Sequence, residues 1–252
     1  MLVLLSCAKT MSAVSKVKVP LTTSPRFQKE AAEIALQMSQ FSVDELERLL
    51  RVNAKIAVEN YKRYQAFHAE ATPELPALLA YTGIVFKRLN PKDFSAEDFG
   101  YAQEHLRLTS FCYGLLRPLD VIRAYRLEGD VVLPELGNQT LFFYWRSRLT
   151  DTFIEDIRSA GGILCNLASD EMKSLFDWKR VESEVRVVTP EFHVWKNGKL
   201  ATIVVYTKMS RGEMTRFILK NKIGNPEELK GFSWEGFEFD ESLSDERKLV
   251  FI

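Results

Sequence analysis

Leu2-Val3-Leu4-Leu5 and Ile163-Leu164-Cys165-Asn166-Leu167 decide the fold. The first run has no polar residue and the second breaks only at Asn166, so neither alternates as a strand with one wet face does. Both read as short strands covered on both sides, and such strands need helices packed over their sheet. Helices are legible on either side. Ala31, Ile34, Ala35 and Met38 recur at helical spacing. Ser42-Val43-Asp44-Glu45 has the form of a capping box opening a second helix through Leu46, Leu49 and Leu50, with helical character running on to about Phe67. Ser95-Ala96-Glu97-Asp98 caps another helix, and residues 141–157 read as a long aromatic-rich helix closed by Gly161-Gly162. Residues 185–195 and 200–208 are rich in β-branched and aromatic residues around Asn197-Gly198, which predicts a hairpin with a type I′ turn. A helix is expected from about Ser210, with Met214, Phe217, Ile218 and Asn221 on one stripe. Leu78-Leu79-Ala80-Tyr81, Phe237-Glu238-Phe239 and Leu249-Val250-Phe251-Ile252 read as strands. Strands and helices are interspersed without linker, repeat or low-complexity segment. The expectation is α+β: a single compact domain over residues 1–252, with a mixed β-sheet and surrounding helices.

Lys plus Arg and Asp plus Glu number 34 each, so the formal net charge is zero. That excludes a surface that is basic all over, but a local basic cleft survives wherever charges segregate. The three cysteines Cys7, Cys112 and Cys165 are far apart and fall in apolar stretches, the pattern of reduced, buried thiols in a cytoplasmic protein. Leu4-Leu5-Ser6-Cys7 has the outline of a lipoprotein cleavage site. However, no basic residue precedes it, and four apolar residues fall short of the roughly 7–15 of a signal core. No stretch approaches the roughly 20 apolar residues of a membrane span. Cytoplasmic location and no membrane partner are the expectations.

Three constellations carry possible chemistry. Between residues 208 and 222, Lys208, Arg211, Arg216, Lys220 and Lys222 stand against Glu213 alone. If a strand ends at Lys208 and a helix begins near Ser210, then Lys208, Arg211 and the Gly212 amide would hold an anion at the helix start. The rival reading is a solvated helix face. A second set is Arg107, Arg117, Arg123 and Arg126, beside the turn Tyr113-Gly114-Leu115-Leu116 that precedes Arg117-Pro118. That turn resembles a helix-hairpin-helix hairpin, which offers backbone N–H groups to phosphates without reading sequence. The rival there is ion pairing with Glu104, Asp120 and Glu128. The third set follows the two buried strands: Ser6, Lys9 and Thr10 after one, Asn166 and Ser169 at the other. Ligands bind beyond strand ends in open α/β sheets.

Ser6-Cys7-Ala8-Lys9 also fits S-x-x-K, but the companion patterns of penicillin-recognising enzymes are absent. His68, His105 and His193 form no metal-binding spacing. No metal, no cofactor and no catalytic residue set is therefore assigned.

Several stretches together resemble the YaaA family of bacterial peroxide-resistance proteins. They are Ser6-Cys7-Ala8-Lys9-Thr10, then Asp98-Phe99 through Ala102-Gln103-Glu104-His105-Leu106-Arg107, and Tyr113-Gly114-Leu115-Leu116-Arg117-Pro118-Leu119-Asp120. Tyr125-Arg126-Leu127-Glu128, Asn166-Leu167-Ala168-Ser169, Lys208 with Arg211-Gly212, and Arg216-Phe217-Ile218 continue the match in order. The resemblance implies a cytosolic protein that limits iron-driven peroxide damage, a compact fold outside the common superfolds, and DNA binding through a basic cleft and a helix-hairpin-helix-like element. On that basis the expected DNA or anion contacts are Lys9, Thr10, Arg107, Arg117, Asn166, Ser169, Lys208, Arg211, Gly212 and Arg216, with Tyr113, Gly114 and Pro118 forming the hairpin. The expected partner is DNA, bound without sequence preference by a monomer. Two other readings fit: an enzyme acting on a phosphorylated small molecule or nucleotide in the same cleft, and a protein-interaction factor in iron homeostasis.

Overall fold

Six strands pair into one sheet in a computed structural model that describes residues 1–252. Their order across the sheet is Lys248–Phe251, Arg186–Phe192, Ile163–Leu167, Leu2–Leu5, Leu106–Ser110 and Gly114–Leu116. Every neighbouring pair is parallel except the last, which is antiparallel. The mixed sheet of an α+β fold is thus present. The apolar run Leu2–Leu5 lies inside the sheet, buried along its whole length. Burial of each of its leucines contributes roughly 1.5–3 kcal/mol. One contiguous core runs from Met1 to Phe251 through both faces.

Strand order fixes where a site can form. From Leu2–Leu5 the chain builds outward through Leu106–Ser110 to Gly114–Leu116, then returns to the other side of Leu2–Leu5 at Ile163–Leu167 and builds outward the other way. The direction of winding therefore switches between Leu2–Leu5 and Ile163–Leu167. Their carboxyl ends part there and leave a crevice.

The predicted helix starts hold where side chains cap them. Ser42 opens Val43–Leu50 and Ser95 opens Ala96–His105, each in a complete capping box. Asn197 (φ 52°) and Gly198 (φ 72°) form the left-handed turn expected of that pair.

Four expectations are corrected. Leu78-Leu79-Ala80 lies in a short helix, Ala77–Ala80, not a strand. Its start is fixed by Pro76 and by the Ala77 N–H donating to the Asp120 carbonyl (2.8 Å). Phe237-Glu238-Phe239 makes only isolated bridges. The hairpin is confined to Val194–Lys196 and Lys199–Ala201, because Arg186–Phe192 is taken up by the main sheet and Val204–Asn221 is helical. Finally, residues 106–116 form a β-hairpin of the sheet, not a helix-hairpin-helix. Tyr113 is buried there and Gly114 turns with φ 70°, so the ladder and the core occupy the groups that were to face phosphates.

Candidate functional site

Beyond the ends of Leu2–Leu5 and Ile163–Leu167 lies a half-open cavity of about 460 Å³. The loop after the first strand gives it Ser6, Cys7, Lys9 and Thr10, and the loop after the second gives Ser169 and Glu171. Ser6 and Ser169 tie the two loops together, the Ser169 N–H donating to Ser6 Oγ at 2.9 Å. Asn166 is buried beneath, its Oδ1 accepting the Ala168 N–H (3.2 Å) and its Nδ2 without a partner. Gly83 lets the first helical residues, Ile84 and Val85, come against this wall: a Cβ there would sit 2.8 Å from the Ala8 Cβ.

The opposite wall is the helix Val204–Asn221, which presents Lys208 and Arg211. Residues three apart share a helix face, so the two side chains reach the cavity together. An extended segment adds Tyr125, Arg126 and Leu127. The Tyr125 hydroxyl bonds to Ser110 Oγ (2.6 Å) and to the Tyr81 hydroxyl (2.8 Å). Burial pushes both phenols well above their ordinary range, so they stay neutral.

Four cations line the cavity, and their pairing differs. Lys9 meets the buried Glu128 at 2.7 Å, and Arg126 lies 3.6 Å from the same carboxylate. Lys208 and Arg211 make no ion pair and no side-chain hydrogen bond within the chain. The Nε atoms of Arg126 and Arg211 are buried without partners. Burial lowers the Arg211 pKa from its usual value, with Asp170 and Glu191 acting against the shift. Against Glu128 and Glu171, the four cations leave an excess of two positive charges. Burial also pushes the Cys7 thiol up to about 12, so it carries no reactive thiolate at neutral pH.

Of the candidate binding residues singled out in the sequence, the fold brings Ser6, Lys9, Thr10, Arg126, Ser169, Lys208 and Arg211 to one cavity, with Asn166 beneath it. It places the others elsewhere. Arg107 Nε donates to Asp156 at 2.6 Å inside the sheet. Arg117 is held by Asp120 (2.8 Å) and the Ser24 carbonyl (3.1 Å). Arg216 bonds to Asp93 and to the Asn90 carbonyl at 2.8 and 2.9 Å. Pro118 gives its carbonyl to the Leu78 N–H (3.0 Å). Gly212 lies inside the helix, so its amide is not an anion donor. A Cβ there would sit 2.3 Å from the Val85 carbonyl oxygen, and close packing is its role.

A larger and more open groove of about 980 Å³ adjoins the cavity. Lys16, Lys18, Lys87 and Lys92 line it, with no acidic side chain in its walls. All four lysines are exposed and none is in an ion pair. The wall between groove and cavity is a bridged pair of segments: Thr82 N–H donates to the Thr10 carbonyl (3.0 Å) and Ser12 N–H to the Ala80 carbonyl (2.8 Å). Sequence reasoning misses this groove, although Lys16-Val17-Lys18-Val19 carries its signal. Alternation puts the lysines on one side, while Val17 and Val19 pack on the core. No group of His, Cys, Asp and Glu side chains is placed to hold a metal ion, and no helix is long and apolar enough to cross a membrane.

A family model described as "Peroxide stress protein YaaA" matches residues 1–243. A UPF0246 protein of Bacteroides thetaiotaomicron is 99% identical over 252 residues, covering 100% of this chain and 98% of its own. One from Bacteroides fragilis is 79% identical over 251 residues, with 100% and 98% covered. At greater distance, a UPF0246 protein of Crocosphaera subtropica is 38% identical over 253 residues, with 100% of both chains covered.

Proposed function

The chain belongs to the peroxide stress protein YaaA family, and from that premise we propose that it protects by binding DNA, with the open lysine groove as the track for the phosphate backbone. The observation that carries this reading is the wall of Lys16, Lys18, Lys87 and Lys92 with no carboxylate among them. Exposed ammonium groups with no internal counterion are free to displace the cations condensed on a polyanion, and that release drives backbone binding irrespective of sequence. Lys9 and Lys208, at the neighbouring cavity, extend the same positive field. A protein held on DNA in this way acts where iron-driven radicals do their damage, which joins DNA contact to peroxide protection.

The test is duplex binding at two salt concentrations, with wild type beside the Lys16→Ala/Lys18→Ala/Lys87→Ala/Lys92→Ala variant. None of the four side chains makes an ion pair, so the fold should tolerate their loss. Wild type should bind at roughly 10⁻⁴–10⁻⁶ M or tighter and weaken steeply with salt, and the variant should lose this binding. Absence of binding by wild type at low salt, or equal binding by the variant, sinks the proposal.

A further inference from the structure

We propose that the half-open cavity is a nucleoside-phosphate site, which takes a single nucleotide either free or extruded from a strand lying in the lysine groove. The second source rests on the DNA reading above; the chemistry of the cavity does not.

Arg211 is the starting point. A guanidinium set into a cavity wall without a counterion is costly, and an anionic ligand removes that cost. Lys208 stands one helical turn away with no counterion of its own, and Arg126 adds an unpartnered Nε. Phosphate is the anion suited to several convergent cationic donors, since Arg and Lys both bind its oxygens through charge-assisted bonds.

A bare phosphate would leave much of the cavity unfilled. About 460 Å³ lies within the roughly 300–1,000 Å³ of small-molecule sites. About half of the lining is apolar, including Ile84, Val85, Phe111, Leu127 and Met172. Tyr125 and Phe111, 4% and 3% exposed, form the floor of this apolar part, against which a base can pack. Glu171, the one acidic residue of the lining, is suited to accept from a sugar hydroxyl or a base amino group. One apolar end and one cationic end together describe a nucleoside phosphate. The cavity also occupies the crevice at the switch point of the sheet, where open α/β sheets hold their ligands.

The shared wall allows the second source. Thr10 lines the cavity and Ser12 the groove, so a strand in the groove runs one short segment away from the pocket. Enzymes and binders that address one base extrude it into such a pocket, at the expense of its stacking.

Calorimetric titration decides the matter, with deoxynucleoside 5′-monophosphates, the matching nucleosides and inorganic phosphate as probes. Monophosphates should bind saturably, and about tenfold or more tighter than either fragment. Lys208→Glu, a change at an exposed unpaired side chain, should weaken them about tenfold or more, as should Arg211→Gln. The four-lysine groove variant should bind them like wild type, which separates this site from the DNA reading. In a second arm, a duplex carrying 2-aminopurine is saturated with protein. A fluorescence rise with wild type that is lost in Lys208→Glu identifies the extruded nucleotide as a ligand; no rise, with monophosphates bound, identifies the free one. The proposal is overturned if no monophosphate binds and no fluorescence rises. It is equally overturned if inorganic phosphate binds as tightly as the monophosphates, or if both cavity variants behave as wild type.

Discussion

Arg107 and Arg211 carry the same charge, and what distinguishes them is a carboxylate that sequence does not place. Arg107 is 8% exposed, donates to Asp156 and caps the carbonyls of Gln103 and Leu106 at 3.0 Å. Replacing it with alanine leaves Asp156 to Arg26 alone, which holds it from a more exposed position at 3.1 Å. Breaking a buried pair typically costs about 3–5 kcal/mol, and the remaining partner brings the expectation for Arg107→Ala to about 2–3 kcal/mol. Urea denaturation should show that loss, while DNA affinity per folded molecule stays at the wild-type value. A drop in affinity without a drop in stability would instead return Arg107 to the binding surface. The ion-pair alternative was legible for part of this set: Asp120 holds Arg117 and Glu128 stands beside Arg126. It was not legible for Arg107, whose carboxylate lies 49 residues away on the long helix Leu141–Ser159. Spacing reports neighbours along an element, and this partner is brought in by packing across two of them.

The helix Val204–Asn221 shows the same limit for an element. Thr202-Ile203-Val204-Val205 reads as strand, yet the helix begins at Val204, because packing against Ile84–Leu89 outweighs the β-propensity of its first turn. The six-residue shift from Ser210 changes what Gly212 does. In a helix interior glycine is disfavoured by roughly 0.8–1.0 kcal/mol relative to alanine, so its presence marks a close approach. A Cβ at Gly212 would sit 2.3 Å from the Val85 carbonyl oxygen and 2.7 Å from the Arg88 Cβ. Neither neighbour yields without moving the shorter helix. Gly212→Ala should therefore destabilise the protein by about 1–2 kcal/mol, the overpacking cost of about 1–3 kcal/mol exceeding the helix gain. Because Val85 lines the cavity, ligand binding there should weaken too. Gly100 is the control: it lies in Ala96–His105, and a methyl added at its Cα would meet nothing within 4 Å, so Gly100→Ala should stabilise by up to about 1 kcal/mol. Thermal or urea unfolding of the two variants gives opposite signs if this account holds. Capped helices were readable in the sequence because Ser42 and Ser95 act within four residues. This one was not, since its start is set by a partner more than a hundred residues earlier.

At the scale of the molecule, zero net charge and a polarised surface coexist. The two apolar runs predicted the sheet, but its strand order joins segments 162 residues apart, as Leu2 against Leu164 does. The switch point, and with it the cavity, was therefore visible only as an analogy. The same holds for the groove, whose lysines come from two segments about seventy residues apart. Neutrality makes the groove open to a quantitative test. In a uniformly basic protein many lysines contribute to DNA affinity, and no single one can be counted. Here Arg107, Arg117 and Arg216 are held by carboxylates, and four groove lysines are free. If each neutralises one phosphate, log Kobs should fall with log salt at a slope of about −3.6, from about −0.9 per phosphate. Each single Lys→Ala change at 16, 18, 87 or 92 should then reduce the slope by about 0.9 and weaken binding to all sequences alike. A wild-type slope near zero would place the affinity outside the groove. A slope of about −6.3, seven contacts at about −0.9 each, would mean that Lys9, Lys208 and Arg211 also meet the backbone, and the cavity would then be part of the DNA track. The titration thus measures how far the positive field of a neutral molecule is gathered onto one face.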